Sequence, residues 1–423
     1  MKQKEIILPV LILLFIASFF FSFAVASNVI LMCLLVVVAL AGNTSHKKLQ
    51  LLKERKYLWL MLAFAIYIFI SFLLSDNRAD GMRSLRVRVP LLVFPFSFGL
   101  LEMTKEKRNK ILLGFAVIVS VACLACLVYS VNRYCQTKNS AFLYNDALSH
   151  LVGQQSIYTS VFVNLSTYIF TWHLLFSSHN QNRKILLVIG IGFLFIVSYL
   201  LASRNMMLML YLTAIIFSFS YALTRKKYLE GATLLMGMLI AGFLILKFFP
   251  KTINRFKELT YTKFDYQSKG KESHYADTLT ADQWNGANFR LAAWPCGWQL
   301  FKEHPVVGVG LGDKKDELLK VYEQKQFLFG ISTKKNVHNN YLDILYSMGI
   351  IGLLLFLIAW IILPFFRITK NKDWLALLSL VTFIIAMLSE NYFDRSYGTM
   401  LFTFFIIFLL TSNKQNQRNA VTV

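Results

Sequence analysis

Residues 111–131 read ILLGFAVIVSVACLACLVYSV, without a single charged side chain. A helix needs about 20 mostly apolar residues to cross the hydrocarbon core of a bilayer, so this run is long enough to span. It follows Lys105-Glu106-Lys107-Arg108 and Lys110, a basic flank of the kind retained on the cytoplasmic side of a membrane. Cys123 and Cys126 lie inside it at the spacing of a redox or metal pair. In mid-span they read as small apolar packing residues.

Similar runs recur on both sides, near 6–26, 28–42, 57–75, 88–101, 156–177, 185–202, 206–223, 231–249, 341–366, 374–389 and 398–412. The composition agrees. Of 423 residues, 56% are hydrophobic and 16% charged, against about 25% charged in a soluble domain. The expected fold class is therefore an all-α polytopic membrane protein with about twelve transmembrane helices. The formal charge of +22 reads as topology and not as a nucleic-acid partner. With the N-terminus inside, the segments 47–56, 105–110, 183–184, 225–227, 367–372 and the tail with Lys414 and Arg418 all land inside, and each is basic, as the positive-inside rule requires. Both termini are then cytoplasmic. Met1-Lys2-Gln3-Lys4 and Ala24-Val25-Ala26 have the look of a secretory signal, but the apolar run between them is long and favours a retained first helix. Residues 1–249 are expected to carry helices one to nine, 250–340 a partly helical outer loop packed on the bundle, and 341–423 the last three helices and a cytoplasmic tail. Cys135 and Cys296 both fall outside, where a disulfide between them is open.

The sequence has no G-x-x-x-x-G-K-[S/T] loop, which argues against ATP-driven transport. It has no His/Cys/carboxylate cluster at metal spacing, so no metal or cofactor is expected. Acids are scarce at span centres, unlike ion-coupled transporters. Polar residues gather instead at the outer face: Arg83, Arg86, Arg88, Arg204, Arg290, His304, His338, Glu390, Asp394 and Arg395. Positive-inside statistics disfavour arginine there. Arg204, in the tight Ser203-Arg204-Asn205 turn, reads as a snorkelling side chain or as a guanidinium that grips a phosphate in bidentate fashion. Phe289, Trp294, Trp298 and Phe301 suit an interfacial helix. Gly308, Gly310 and Gly312 permit close backbone approach. His338 opens a helix, whose N-terminus keeps an imidazole neutral and able to accept a proton. Glu390 and Arg395 read equally as an ion pair joining the last two spans.

Taken in order, these are an S-R turn at Ser203-Arg204, R-x-x-x-W at 290–294, E-H-P-x-x-G-x-G-x-G at 303–312, and H-N-x-x-L-x-x-x-x-x-x-G-x-x-G at 338–352. The set resembles the O-antigen ligase family, whose shared region also occurs in O-antigen polymerases and protein O-oligosaccharyltransferases. The likeness is specific over about 185–400 and architectural before 150. It implies a metal-independent GT-C-type glycosyltransferase of the bacterial inner membrane with a periplasmic active site. The donor it implies is a glycan on undecaprenyl pyrophosphate, and the acceptor is lipid A–core oligosaccharide. A growing lipid-linked glycan or an exported protein are the alternatives. By the same resemblance His338 is the general base. Arg204 and Arg290 bind the donor pyrophosphate, joined by Arg86 and Arg88, whose segment with Pro90 and Phe94-Pro95 is similar to a basic stretch in the family. Asn339, Trp294, Glu390 and Arg395 are supporting residues, and direct displacement implies inversion. Val337 stands where some ligases carry a second histidine.

Overall fold

The computed structural model describes residues 2–20, 25–248, 250–273 and 283–413. Ala24, Lys414 and Arg418, used above for the signal and the tail, lie outside them. The described chain is almost entirely helical: α1 (Lys2–Ser18), α2 (Val25–Gly42), α3 (Ser45–Glu54), α4 (Tyr57–Leu73), α5 (Arg78–Arg88), α6 (Lys105–Thr137), α7 (Ser156–Phe176), α8 (Gln181–Leu201), α9 (Arg204–Arg225), α10 (Tyr228–Phe248), α11 (Pro250–Lys257), α12 (Gly286–Glu303), α13 (Lys314–Gln324), α14 (Leu328–Thr333), α15 (Asn340–Phe356), α16 (Trp374–Ala386) and α17 (Ser396–Leu410). A two-residue parallel strand pair joins Met103–Thr104 to Ser412–Asn413.

By length and composition, four helices among the described residues can cross a membrane: Lys105–Thr137, Gln181–Leu201, Arg204–Arg225 and Asn340–Lys370. The pair Ser27–Gly42 and Ser45–Glu54, bent by 99°, makes a fifth if it is one span. Ile6–Ser18, Tyr57–Leu73, Trp374–Ala386 and Ser396–Leu410 are shorter apolar helices. Val117, Val121, Leu124 and Val128 are all exposed along one side of α6. That spacing is one helical face, and so wide an apolar surface belongs in lipid. The protein is a helical membrane protein.

Inside the bundle the aromatics interlock. Phe15, Phe94, Phe98 and Phe404 pack edge-on or tilted, with centroids 5.1–6.2 Å apart. Every residue of α17 from Gly398 to Leu410 is buried. At the bundle end away from the site, the buried Arg55 donates to the carbonyls of Gly99 (2.6 Å), Leu101 (2.8 Å) and Thr411 (3.4 Å). Arg108 pairs with Asp373 nearby.

One expectation changes, and one point left open is answered. The run at 88–101 is not one straight helix: α5 ends at Arg88, Pro90–Val93 forms a single turn, and Phe98–Leu100 is 3-10. Pro90 and Pro95 cannot donate to the helical ladder, and the regular helix is interrupted around both. Cys135 and Cys296 are both free. Cys135 is exposed, and Cys296 is buried in a second core with Trp284, Phe289, Tyr322 and Phe327.

The alternate glycines have a physical reason. Residues 305–310 lie backbone to backbone against a break in α15 at Gly349 (φ 66°, ψ −172°). Val309 N donates to Tyr346 O (2.9 Å), Gly310 N to Ser347 O (3.0 Å), and Ile350 N to Pro305 O (2.9 Å). A Cβ on Gly308 (φ +74°) would meet Met348 N at 2.4 Å, and one on Gly349 (φ +66°) would meet Val306 O at 2.1 Å. The same loop then clips onto the start of α5. Asp313 accepts from the Asn77 amide (2.7 Å), and Ser75 Oγ accepts from Gly312 N (2.9 Å). We expect Gly349→Ala to cost on the order of 3 kcal/mol, from the steric clash and the unfavourable φ together. The readout is thermal melting in detergent, with Gly192→Ala as control. Gly192 has nothing within 4 Å of its would-be Cβ, so equal melting temperatures for the two variants would contradict this account.

Candidate active site

A cavity of about 800 Å³ opens where α7, α9, α11, α12 and the 333–338 and 388–395 segments meet. Its lining brings together Arg204, Arg255, Arg290, Arg395 and the pair His338 and Glu390.

Arg204 is the first residue of α9, so the Ser203 turn fixes its position. Its Nη1 donates to Arg255 O at 2.9 Å and lies 3.8 Å from Glu258. Glu258 also pairs with Arg255 at 3.1 Å. Arg290 sits in the second turn of α12, whose start is set by a capping box between Asn285 and Asn288. Its Nη1 donates to Gly286 O (2.5 Å) and its Nη2 to Ser389 O (2.8 Å). Its buried Nε–H has no hydrogen-bond partner among the described residues. Burial lowers the Arg290 pKa, though a guanidinium keeps its charge at any physiological pH. A Cβ on Gly286 would lie 3.1 Å from Arg290 Nη1 and 3.6 Å from Arg204 Nη2. Both guanidinium groups therefore border one point beside Gly286.

His338 has φ +47°, a left-handed conformation that costs a non-glycine residue about 1 kcal/mol or more. Its surroundings hold it there. Asn336 Oδ1 accepts from His338 N at 3.0 Å, and Trp294 Nε1 donates to Val337 O at 3.0 Å. On the other side Asn339 caps α15 by accepting from Tyr341 N and Leu342 N. The ring Nδ1 lies 3.1 Å from Glu390 Oε2. With Glu390 ionised, the Nδ1 proton belongs on that contact, and Nε2 is left to accept a proton.

Burial acts to raise the Glu390 pKa, but the His338 hydrogen bond and the charges of His338, Arg395 and Arg290 outweigh it and hold the carboxyl below the usual range. A depressed carboxyl stabilises the fold fully above its unfolded value, about 4.3. That contribution is lost as pH falls through the lower folded value. The melting-temperature gap between wild type and Glu390→Gln should therefore hold from pH 7 down to about pH 4. A gap that closes between pH 7 and 5 would mean that the carboxyl is raised instead.

Of the residues singled out in the sequence, Arg204, Arg290, His338, Trp294, Glu390 and Arg395 line this cavity. Asn339 faces an adjoining apolar groove. Arg395 Nε is 3.7 Å from Glu390 Oε1. Arg88 lines a different, smaller cavity, where it pairs with Asp394 (3.3 Å) and Asp343 (3.8 Å). Arg86 is exposed and lines neither. Sequence reading passed over Arg255 and Glu258, whose i,i+3 spacing is a usable ion-pair signal. It also passed over Asn340, which takes Met387 O by its amide (2.9 Å) and Phe393 N by its side chain (3.1 Å), anchoring the Glu390 loop. Among the described residues no group of three or more His, Cys, Asp or Glu side chains could hold a metal.

No curated protein matches the chain. Residues 186–357 match the family model described as O-antigen ligase, and this stretch contains Arg204, Arg290 and His338.

Proposed function

We propose that this protein is an inverting, metal-independent glycosyltransferase that moves a glycan from undecaprenyl pyrophosphate to lipid A–core oligosaccharide. The observation that carries the reading is one cavity that joins a cluster of arginines to a carboxylate-oriented histidine. His338 Nε2 removes the proton from the acceptor hydroxyl as its oxygen attacks the anomeric carbon. The bond from that carbon to the pyrophosphate oxygen breaks, and the electron pair leaves with undecaprenyl pyrophosphate. Arg204 and Arg290 neutralise the growing charge, the transition-state stabilisation that dominates such reactions. Glu390 keeps the Nδ1 proton in place, as the buried acid of a catalytic triad does.

An apolar groove of about 590 Å³ supports a polyprenyl donor. It runs between α12 and α15, is lined by Trp298, Leu342 and Leu345 among others, and shares Leu291, Trp294 and Leu388 with the active cavity. In this reading the chain crosses the inner membrane twelve times in a GT-C-type arrangement. Both termini are cytoplasmic, and the cavity opens to the periplasm at the outer leaflet.

Expression in bacteria that make lipid-linked O-antigen but lack a ligase tests the proposal. A ladder on lipopolysaccharide is the expected result. Longer chains that stay on the polyprenyl carrier would make the protein a polymerase. Glycan on exported protein would make it an oligosaccharyltransferase.

A further inference from the structure

Next to the active cavity lies a second one of about 240 Å³. Arg83 and Arg88 of α5, Lys314 and Lys315 at the start of α13, and Lys334 and Lys335 before His338 line it, with Asp80 and Asp394 as its acids. Arg88 and Lys314 are buried and neutralised. Lys314 lies 2.6 Å from Asp343 and 2.5 Å from Asp394, and Arg88 contacts the same two carboxylates. Burial raises the Asp394 pKa, but Lys314 and Arg88 override it and hold the group ionised, well below the usual range. Lys335 pairs with Glu272 and lies over the rings of Phe289 and Phe329. Arg83, Lys315 and Lys334 are exposed, and no ion pair engages them among the described residues. The buried charges cancel, so these three cations set the sign of the cavity.

The second cavity shares Lys334, Lys335 and Asn336 with the first. Asn336 links the two. Its Nδ2 donates to Asp394 Oδ2 at 2.9 Å while its Oδ1 holds the His338 amide. A saccharide with its attacking hydroxyl at His338 would lay a neighbouring sugar over this shared wall.

We propose that the second cavity receives a phosphate substituent of the acceptor saccharide. This rests on the transfer reading above. Arg83, Lys315 and Lys334 contact the anion, and the Asp394–Asn336 link holds the wall that joins it to the base. The cavity thus selects charged acceptors over neutral ones.

The test is binding of rough lipopolysaccharide, native and chemically dephosphorylated, to the full chain in zwitterionic nanodiscs, together with steady-state transfer. In the double variant Arg83→Glu with Lys315→Glu, the acceptor Kd and KM should rise about tenfold, the size of two reversed exposed charge contacts. The donor KM should stay the same. Dephosphorylated acceptor should bind wild type and variant equally, at the weaker level. Acceptors stripped of only their lipid A phosphates or only their core phosphates show which group is read. Equal binding of native and dephosphorylated acceptor by wild type, or a variant that changes only the donor KM, would overturn the proposal. Displacement of acceptor by phosphatidylglycerol in the disc would assign the cavity to a membrane headgroup and overturn it too. Charge-dependent binding with no transfer by wild type would keep the cavity and remove the transfer reading. Transfer indifferent to the double variant would do the reverse.

Discussion

His338→Ala should lower kcat for glycan transfer by at least about a thousandfold while donor binding stays within a few-fold. Removing a base that acts as a unit with its orienting acid typically costs this much or more. The structure explains why the loss falls on kcat. His338 is held at a left-handed φ by Asn336 and by the Trp294 bond to Val337 O, whereas the arginines are fixed by separate elements. Glu390→Gln should give a smaller loss, about a hundredfold or more, because an amide no longer demands the Nδ1 proton. The order of the two effects is the check. If Glu390→Gln were as active as wild type, the 3.1 Å contact between Glu390 and His338 would be a packing contact, and the Nε2 base would need another account.

The second large effect is expected at the arginines. Arg290→Ala should reduce kcat/KM by about a hundred- to a thousandfold, the loss seen when one preorganised donor to a developing anion is removed. Arg290→Lys should recover little. The guanidinium already gives Nη1 to Gly286 O and Nη2 to Ser389 O, and a lysine cannot satisfy both and still face a phosphate. Arg204→Lys should be damaged less, because Arg204 is held by a single Nη1 bond to Arg255 O and a long 3.8 Å ion pair to Glu258 among the described residues. Steady-state kinetics with varied donor measures both. Full activity in Arg290→Lys would reduce the clamp to a diffuse positive field.

The sequence made the helices readable because a spanning run announces itself by length alone, as at 111–131 within α6. It failed at 88–101, where two prolines matter more than hydropathy. The site was partly readable. Arg204 and His338 stand at helix starts, and a helix start bordered by a short turn is visible in one dimension. The pairing of His338 with Glu390 was not visible, since the two lie 52 residues apart and meet only because Asn340 and Arg290 tie the 387–393 loop to α15 and α12. Arg88 shows the same limit. Its charge was plain, but its direction depended on partners at Asp394 and Asp343. The alternate glycines suggested close backbone approach, and the backbone they approach is the break at Gly349.

The most direct test of the central claim is reconstitution with purified protein, a short glycan on undecaprenyl pyrophosphate, and rough lipopolysaccharide, in the presence of EDTA. The account predicts a glycan–lipopolysaccharide band on the gel in wild type that is unaffected by chelation and absent in His338→Ala. Product formed equally by wild type and His338→Ala would contradict it.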